Sequence, residues 1–225
     1  MSNYIGNELT LFHNAKNWKI YFSKKILPLI KGDVLEVGAG IGGSTLYLNN
    51  GLNKSWTCLE VDKEFVAILK EKFNKINIID YEVKELKNKF DTIIYIDVLE
   101  HIKNDKEELL YAKKHLNKNG NLIILVPAYN FLYNEFDIKI GHYRRYNKNK
   151  LKSLIPNELK IINFYYLDSM GFIASFVNKL FLKKSMPTLN QIIFWDKILI
   201  PISKFIDFLI FNSFGKSLIL IVKKK

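Results

Sequence analysis

The stretch GHYRRY concentrates polar chemistry in one short segment. After Gly141 it contains an imidazole, two phenols and two guanidiniums: His142, Tyr143, Arg144, Arg145 and Tyr146. An imidazole can take a proton near neutral pH, whereas guanidinium groups bind carboxylates and phosphates. The segment therefore predicts a base, His142, with Arg144 or Arg145 binding an anion and Tyr143 or Tyr146 flanking the acceptor. The alternative is that the arginines pair with nearby acids, Glu135 and Asp137, and only anchor the loop.

A glycine-rich turn, VLEVGAGIGGST, is the second candidate site. Glycines 38, 40, 42 and 43 let the backbone turn tightly and approach a ligand closely. The spacing Gly-x-Gly-x-x-Gly alone would favour a dinucleotide. Glu36 changes that expectation, because its carboxylate would repel a pyrophosphate and attract a cationic amino or sulfonium group.

The elements that position these sites alternate along the chain. Short β-branched runs predict strands buried on both faces: DVLEVG, SWTCLEV, INIID, FDTIIYID and NLIILVP. Between them, GGSTLYLNNG, DKEFVAILKEKF and NDKEELLYAKKHLNKNG have apolar residues at helical spacing. Asp62 is a candidate N-cap of the second helix, Asn104 or Asp105 of the third, and the third is predicted to end near Gly120. This alternation indicates a doubly wound parallel sheet.

Length and composition favour one domain, 1–225, with 48% hydrophobic residues. The single cysteine, Cys58, is compatible with a reducing compartment and is expected to be buried. The first residues lack the pattern of a secretory signal, and no stretch of about 18 uncharged apolar residues occurs. We therefore expect a cytoplasmic protein.

The net charge of +12 is unevenly distributed. From His142 to Lys225 the chain has 15 basic and 4 acidic residues, whereas the part before it is nearly balanced. Such a localised field attracts anionic partners, whether phosphates, acidic lipids or nucleic acid. The alternative is a lysine-rich, solvated surface with no partner.

The motifs together resemble class I S-adenosylmethionine-dependent methyltransferases. The resemblance is carried by EVGAGIG, by Glu60 in TCLEVD and by FDTIIYIDVLEHI. The segment VPAYNFLYNEFDIKIGHYRRYNKNKLKSLI and the closing FGKSLILIVKKK are similar to a bacterial subgroup, so the resemblance begins at about Asn14. It implies a Rossmann-like, seven-stranded, mostly parallel sheet of order 3-2-1-4-5-7-6 with an antiparallel last strand. LNKNGNL departs from the family's usual Pro-Gly-Gly, and Glu60 from its more frequent Asp.

The resemblance implies S-adenosyl-L-methionine as cofactor and S-adenosyl-L-homocysteine as product. Glu60 would accept hydrogen bonds from both ribose hydroxyls, Glu82 or else Asp80 would lie by the adenine amino group, and Asp97 would face the methionine end. The implied cofactor-binding set is Glu36, Gly38, Ala39, Gly40, Gly42, Glu60, Val61, Glu82, Asp97 and Val98. No metal-ligand set is predicted.

Two histidines are candidate catalytic residues. Methyl transfer from a sulfonium needs alignment and exclusion of water, and a hydroxyl or ammonium acceptor must also lose a proton. His142 is expected to take that proton. His101 follows Asp97 in DVLEH and could orient Asp97, cap the next segment or act on the substrate.

An aromatic-rich insert is predicted between the last two strands. The domain is divided into an N-terminal helical segment (1–31), a cofactor-binding core (32–166), the insert (168–214) and the last strand (215–225). Pro201, Asp196 and Asp207 argue against a membrane-spanning helix in the insert. Its aromatic residues suit a helical lid or an interfacial surface, and the lysines at 179, 183 and 184 favour peripheral contact with an anionic membrane.

The expected function is methyl transfer to a small-molecule or a lipid- or sugar-linked acceptor, with an anionic acceptor favoured and O-methylation ahead of N-methylation. An RNA methyltransferase is the first alternative, because a basic face suits phosphates. The chain has neither an appended RNA-binding module nor an Asn/Asp-Pro-Pro-Tyr/Phe/Trp tetrad, so nucleic acid is not the favoured partner. A non-catalytic S-adenosylmethionine-binding partner protein is the second alternative. The sequence leaves the oligomeric state open.

Overall fold

The computed structural model describes residues 7–182 and 186–225. In these residues one sheet of seven strands has the order β3-β2-β1-β4-β5-β7-β6, which confirms the predicted topology. The strands are β1 (Asp33–Val37), β2 (Ser55–Leu59), β3 (Asn77–Ile79), β4 (Phe90–Ile96), β5 (Leu116–Pro127), β6 (Leu159–Leu167) and β7 (Ser217–Lys224).

The directions of the strands place the carboxyl ends of the central strands at one edge of the sheet. The central pairs, β1 with β2, β1 with β4 and β4 with β5, are parallel, so their carboxyl ends lie together. Strand β7 runs antiparallel to β5 and β6, and its first residue, Ser217, pairs with Pro127 at the end of β5. The start of β7 therefore joins the carboxyl edge, where open α/β sheets bind ligands.

Ten α-helices surround the sheet within the described residues. They are α1 (Asn7–His13), α2 (Lys16–Ile26), α3 (Thr45–Leu48), α4 (Lys63–Lys72), α5 (Asp105–His115), α6 (Glu135–Lys139), α7 (Lys148–Leu154), α8 (Ser169–Val177), α9 (Leu189–Phe194) and α10 (Ile200–Leu209). Asp62 caps α4 as predicted, accepting from the amides of Glu64 and Phe65. The predicted end of the third helix near Gly120 is wrong, because α5 ends at His115 and Leu116 already pairs with Phe90 in the sheet.

Two apolar layers sandwich the sheet. Successive strand residues point to opposite faces, so Ile93 contributes to one layer and Ile94 to the other, and both are fully buried. Cys58 is buried in the second layer, as predicted. Helix α2 covers that layer with Trp18, Phe22 and Ile26.

Two buried aspartates attach the insert to the rest of the domain. Asp196 accepts from the backbone amides of Asn17 and Trp18 in α2, at 3.1 and 2.9 Å. Asp207 accepts from the Tyr21 hydroxyl at 2.9 Å and from the amide of Asp168 at 2.7 Å. Buried carboxylates need such donors, so these acids hold the insert in place over α2. Among the described residues, no helix is both long and apolar enough to cross a membrane.

Candidate functional site

A cavity of about 840 Å³ opens at the carboxyl edge of the sheet. The glycine turn after β1 lines one side, and the GHYRRY loop lines the other through Gly141, His142, Tyr143 and Arg145. Helices α1 and α2 and the insert contribute Phe12, Lys19 and Trp195. The two candidate sites of the sequence therefore belong to one cavity.

The turn after β1 has a backbone conformation that a residue with a side chain at position 38 would not adopt. Gly38 has a φ of +65°, and a Cβ there would meet the Val98 side chain at 2.6 Å. Glycine is the residue that adopts such angles without strain. Gly38, Ala39, Gly40 and Val98 line the cavity. Gly42 is not part of the lining, and it packs toward Phe73 and Leu69 instead.

Glu60 closes β2 and organises the same turn. One of its oxygens accepts from the amide of Gly40 at 2.8 Å, and the other accepts from Val61 and Asp62 at 2.8 and 3.0 Å. The carboxylate is buried and lines the cavity. Each carboxylate oxygen can accept more than one hydrogen bond, so Glu60 and the glycine turn fit a ribose with two hydroxyls. Val61 is exposed beside them at the cavity wall.

Two other acids of the implied cofactor set have partners already. Glu36 accepts from the Thr45 hydroxyl at 2.7 Å and from the Trp56 indole at 3.1 Å. Its burial raises the pKa of this carboxyl to about 7, although these hydrogen bonds oppose the shift. Glu82 is exposed at the cavity wall and forms an ion pair with Lys84 at 2.6 Å, whereas Asp80 is not part of the lining.

Asp97 interacts electrostatically with Lys216, a residue that the sequence analysis missed. Asp97 follows β4 with a φ of 53° and is exposed to the cavity. The surrounding protein raises its pKa, while Lys216 and Arg145 lower it. Lys216 also lines the cavity, and its Nζ lies 5.1 Å from the centre of the Trp195 ring. Its place at the start of the predicted last strand (215–225), which begins at the carboxyl edge, was the signal that could have identified it.

His142 is held by a carboxylate. Its Nδ1 lies 2.8 Å from Oδ1 of Asp137, and Arg145 donates two hydrogen bonds to the same Asp137 at 2.8 and 2.9 Å. Burial tends to raise the pKa of Asp137, but the hydrogen bonds from His142 and Arg145 hold it below its usual value. The Nη1 atom of Arg145 is buried without a hydrogen-bond partner in the described part of the chain. Arg145 thus matches both hypotheses, since it anchors the loop and lines the cavity.

Two predicted substrate contacts are not at the cavity. Arg144 pairs with Asp105 at 2.7 Å and donates to the carbonyls of Ile102 and Lys103. Tyr146 is fully buried, and its hydroxyl bonds to Leu99 O and Asp105 Oδ2 at 3.1 and 3.0 Å. The prediction that these two residues bind substrate is therefore corrected: they fix the loop to the segment around α5. Tyr143 is half exposed at the cavity mouth.

The DVLEH motif places two more side chains at the cavity. Glu100 is fully buried, and neither of its carboxylate oxygens has a hydrogen-bond partner among the described residues. The ring centre of His101 lies 4.6 Å from that of His142. Burial, and then the neighbouring His142, lower the pKa of His101 to about 3, so this imidazole is neutral near pH 7. Glu100 was missed because its position in a turn has no periodic signal.

Lys19 is a further residue that the sequence analysis missed. Its Nζ donates to the carbonyls of Phe12 and His13 at 2.7 and 3.2 Å. Burial lowers the pKa of this lysine to about 8. It lines the cavity near the glycine turn and adds a basic group to the lining.

The chain is similar to several known proteins. Phosphoethanolamine N-methyltransferase of Plasmodium falciparum is 27% identical over 114 residues, which cover 45% of this chain and 43% of that protein, so the chain matches less than half of the relative's length. An S-adenosylmethionine-dependent methyltransferase of Clostridium acetobutylicum superposes with a TM-score of 0.59 at 14% identity, over 93% of this chain and 91% of that one. The N-methyltransferase NodS of Bradyrhizobium japonicum, solved with S-adenosyl-L-homocysteine, gives 0.56 at 12% identity, over 91% and 85%.

A family model identifies the family to which these similarities point. The model described as a methyltransferase domain matches residues 12–186, which is well over half of the chain. It includes the glycine turn, Glu60, Asp97 and the GHYRRY loop. The chain therefore belongs to the methyltransferase-domain family of S-adenosylmethionine-dependent enzymes.

Proposed function

We propose that this protein transfers a methyl group from S-adenosylmethionine to a hydroxyl group of a small-molecule or a lipid- or sugar-linked acceptor that carries negative charge. The observation that carries the proposal is the shared cavity. It joins Glu60 and the glycine turn to a polar end formed by Asp97, His142 and Lys216. One end of the cavity suits a nucleoside, and the other suits a polar acceptor.

In this proposal some cavity residues bind the cofactor and others act on the acceptor. When bound, S-adenosylmethionine supplies an electrophilic methyl group on a sulfonium. Glu60 and the glycine turn hold the nucleoside, and Asp97 offers negative charge next to the positively charged end of the cofactor. In this proposal His142, which Asp137 orients, takes the proton of the acceptor hydroxyl.

Positive charge at the polar end favours an anionic acceptor. Lys216 and Arg145 line the cavity, whereas Arg144 does not. The Nη1 atom of Arg145 is buried and has no hydrogen-bond partner among the described residues. Guanidinium and ammonium groups bind phosphates and carboxylates through charge-assisted hydrogen bonds. Arg145 and Lys216 therefore replace the Arg144–Arg145 pair as the proposed anion site.

The test follows the labelled methyl group. Purified protein is incubated with methyl-labelled S-adenosylmethionine and with separated small-molecule, lipid and RNA fractions of a cell extract. We expect label in an acidic small-molecule or lipid fraction, with base-stable ether chemistry in the product. Label in RNA alone would make the protein an RNA methyltransferase. Cofactor binding without label in any fraction would favour a non-catalytic partner protein.

The exposed side of the insert supports contact with an anionic membrane. Phe205, Phe208 and Phe211 are 66, 73 and 91% exposed, and Lys197 and Lys204 on the same helical stretch are also exposed. Exposed aromatic side chains beside lysines are typical of interfacial surfaces. Lys183 and Lys184, which the charge analysis included, lie outside the described residues. Other aromatics of the insert do form a lid, as Phe172 packs on Phe214 and Tyr129.

Liposome sedimentation tests the membrane contact. We expect the protein to sediment with anionic but not neutral liposomes at low salt, because basic residues near a surface each contribute about 1 kcal/mol that salt screens. The double variant Phe205→Ser with Phe208→Ser should stay in the supernatant. Leu52→Ser, which changes an exposed apolar residue in another part of the fold, is the control. Equal sedimentation of both variants would contradict the proposal.

A further inference from the structure

Glu100, His101 and His142 form a cluster at the cavity with the features of a metal site. One potential ligand atom from each residue lies within 4.8 Å of the other two. Two of the residues belong to DVLEH and the third to GHYRRY, so the cluster exists only after folding. We infer that Glu100, His101 and His142 bind a divalent transition-metal cation such as Mn²⁺, Co²⁺ or Zn²⁺.

The first argument is that the buried carboxyl of Glu100 lacks a hydrogen-bond donor among the described residues. The side chain is 0% exposed, and both oxygens are without a hydrogen-bond partner in the described residues. The other acids near it are compensated, since Asp137 pairs with Arg145 and Asp97 faces Lys216. A buried carboxylate without a partner is costly. A cation at its open side would remove that cost.

The second argument is that the histidines are oriented as metal ligands usually are. A ligating imidazole typically donates its other N–H to a carboxylate or a backbone carbonyl. His142 has Asp137 at its Nδ1, which leaves Nε2 on the side of Glu100, 3.7 Å from Oε1. His101 hydrogen-bonds to the backbone of Gly141. Both supports come from residues 137–141, the end of α6 and the turn that leads into His142, so this segment sets the geometry of both imidazoles.

The third argument concerns distance and access. Three ligands about 2.1 Å from one ion lie roughly 3 to 3.6 Å apart. Ligand atoms that lie within 4.8 Å of one another would therefore have to approach by about 1 Å, which side-chain rotation can supply. All three residues line the cavity, which leaves the remaining coordination positions open to an acceptor. Two imidazoles and one carboxylate favour first-row transition metals over Mg²⁺ or Ca²⁺, which prefer oxygen ligands.

The ion would activate the acceptor hydroxyl, and this role rests on the function proposed above. A bound cation lowers the pKa of a hydroxyl that binds to it. In the transfer, the acceptor O–H bond breaks and its proton passes to solvent. The O–CH₃ bond then forms, while the S–CH₃ bond breaks and leaves its electron pair on sulfur. In this account His142 holds the ion and does not itself take the proton.

Metal binding is measured directly, apart from activity. Protein dialysed against a chelator is titrated with Co²⁺ and Mn²⁺, and binding is followed by calorimetry and by the visible absorption of Co²⁺. We expect one ion per chain at the cluster and a rise in melting temperature on binding. Glu100→Gln and His142→Gln should each weaken binding by about 100-fold or more. His115→Gln, which changes a histidine of α5 bonded to the Asn88 carbonyl, should bind like wild type.

Different outcomes separate this inference from the proposed function. Failure of the wild-type protein to bind either ion, or equal binding by the two cluster variants and wild type, overturns the metal site. Glu100→Gln replaces a buried carboxyl that lacks a hydrogen-bond donor by an amide of the same size, so this variant should keep the fold. Its melting temperature without metal, compared with that of wild type, separates lost binding from unfolding. If the ion binds but chelated protein methylates its acceptor at the full rate, the role of the ion in transfer is wrong. If the loaded protein methylates nothing, the proposed function fails while the metal site stands.

Discussion

The Nδ1 atom of His142 lies 2.8 Å from Oδ1 of Asp137, and Arg145 donates to both oxygens of the same carboxylate. Asp137 and Arg145 are both buried. One carboxylate thus orients the imidazole at the cavity and neutralises a buried guanidinium. The GHYRRY loop depends on it for both its shape and its chemistry.

Replacing that carboxylate should destabilise the fold. Asp137→Asn would leave Arg145 as a buried charge without its partner, which typically costs about 3–5 kcal/mol in the free energy of unfolding. Urea denaturation measures the change. Glu135→Gln changes an exposed acid of the same helix and should have little effect. A loss below about 1 kcal/mol for Asp137→Asn would show that the pair contributes little.

Removing the Glu60 carboxylate should weaken cofactor binding. Glu60→Ala would lose the acceptor for the ribose hydroxyls and the hydrogen bonds that shape the glycine turn. We expect a loss of about 1.5–3 kcal/mol in S-adenosylmethionine affinity, measured by calorimetric titration. Glu64→Ala, an exposed acid on α4, serves as control. Unchanged affinity would remove Glu60 from the site, and tight NAD binding by wild type would argue against the cofactor assignment.

Cofactor affinity should depend on the ionisation of Asp97. Asp97 is exposed only to the cavity, and the surrounding protein shields its carboxyl from bulk solvent and raises its pKa to about 7. Lys216 opposes this shift because a nearby cation favours the carboxylate. Affinity for the cationic cofactor should therefore fall as the pH drops below about 7. Lys216→Met should move the midpoint to higher pH, because the pKa of Asp97 rises further. Titrations at several pH values check this, with exposed Lys197→Met as control, and superimposable profiles would contradict it.

Glu36 should make stability depend on pH. The folded-state pKa of about 7 exceeds the usual 4.5, so the folded state binds a proton more tightly than the unfolded state. The loss of folding stability caused by burying the ionised Glu36 carboxylate is absent below about pH 4.5, grows as the pH rises and is complete above about pH 7. Between pH 4.5 and 8, wild type should therefore lose about 3 kcal/mol of stability relative to Glu36→Gln. Denaturation curves at both pH values measure this, and parallel changes in the two proteins would show that Glu36 is not the cause.

The sequence by itself determined the framework of the domain. The alternation of β-branched runs with helical spacing, together with the family resemblance, predicted the sheet order that β1 to β7 adopt. The glycine turn and Glu60 were also identified from sequence. These features depend on local rules, since periodicity and the backbone freedom of glycine act over a few residues. The end of α5 was predicted wrongly, because pairing of Leu116 with Phe90 in the sheet overrode the local helical pattern.

Only the tertiary structure decided which polar side chains reach the cavity. The residues of GHYRRY lie in an irregular segment, where no period predicts direction, so Arg145 faces the cavity while Arg144 turns to Asp105 and Tyr146 is buried. Lys216 arrives beside Asp97 because β7 runs antiparallel and begins at the carboxyl edge. Glu100 has no partner until the loop after β5 brings His142 to it. Contacts between segments distant in sequence depend on how the strands are arranged, and no local pattern of residues encodes them.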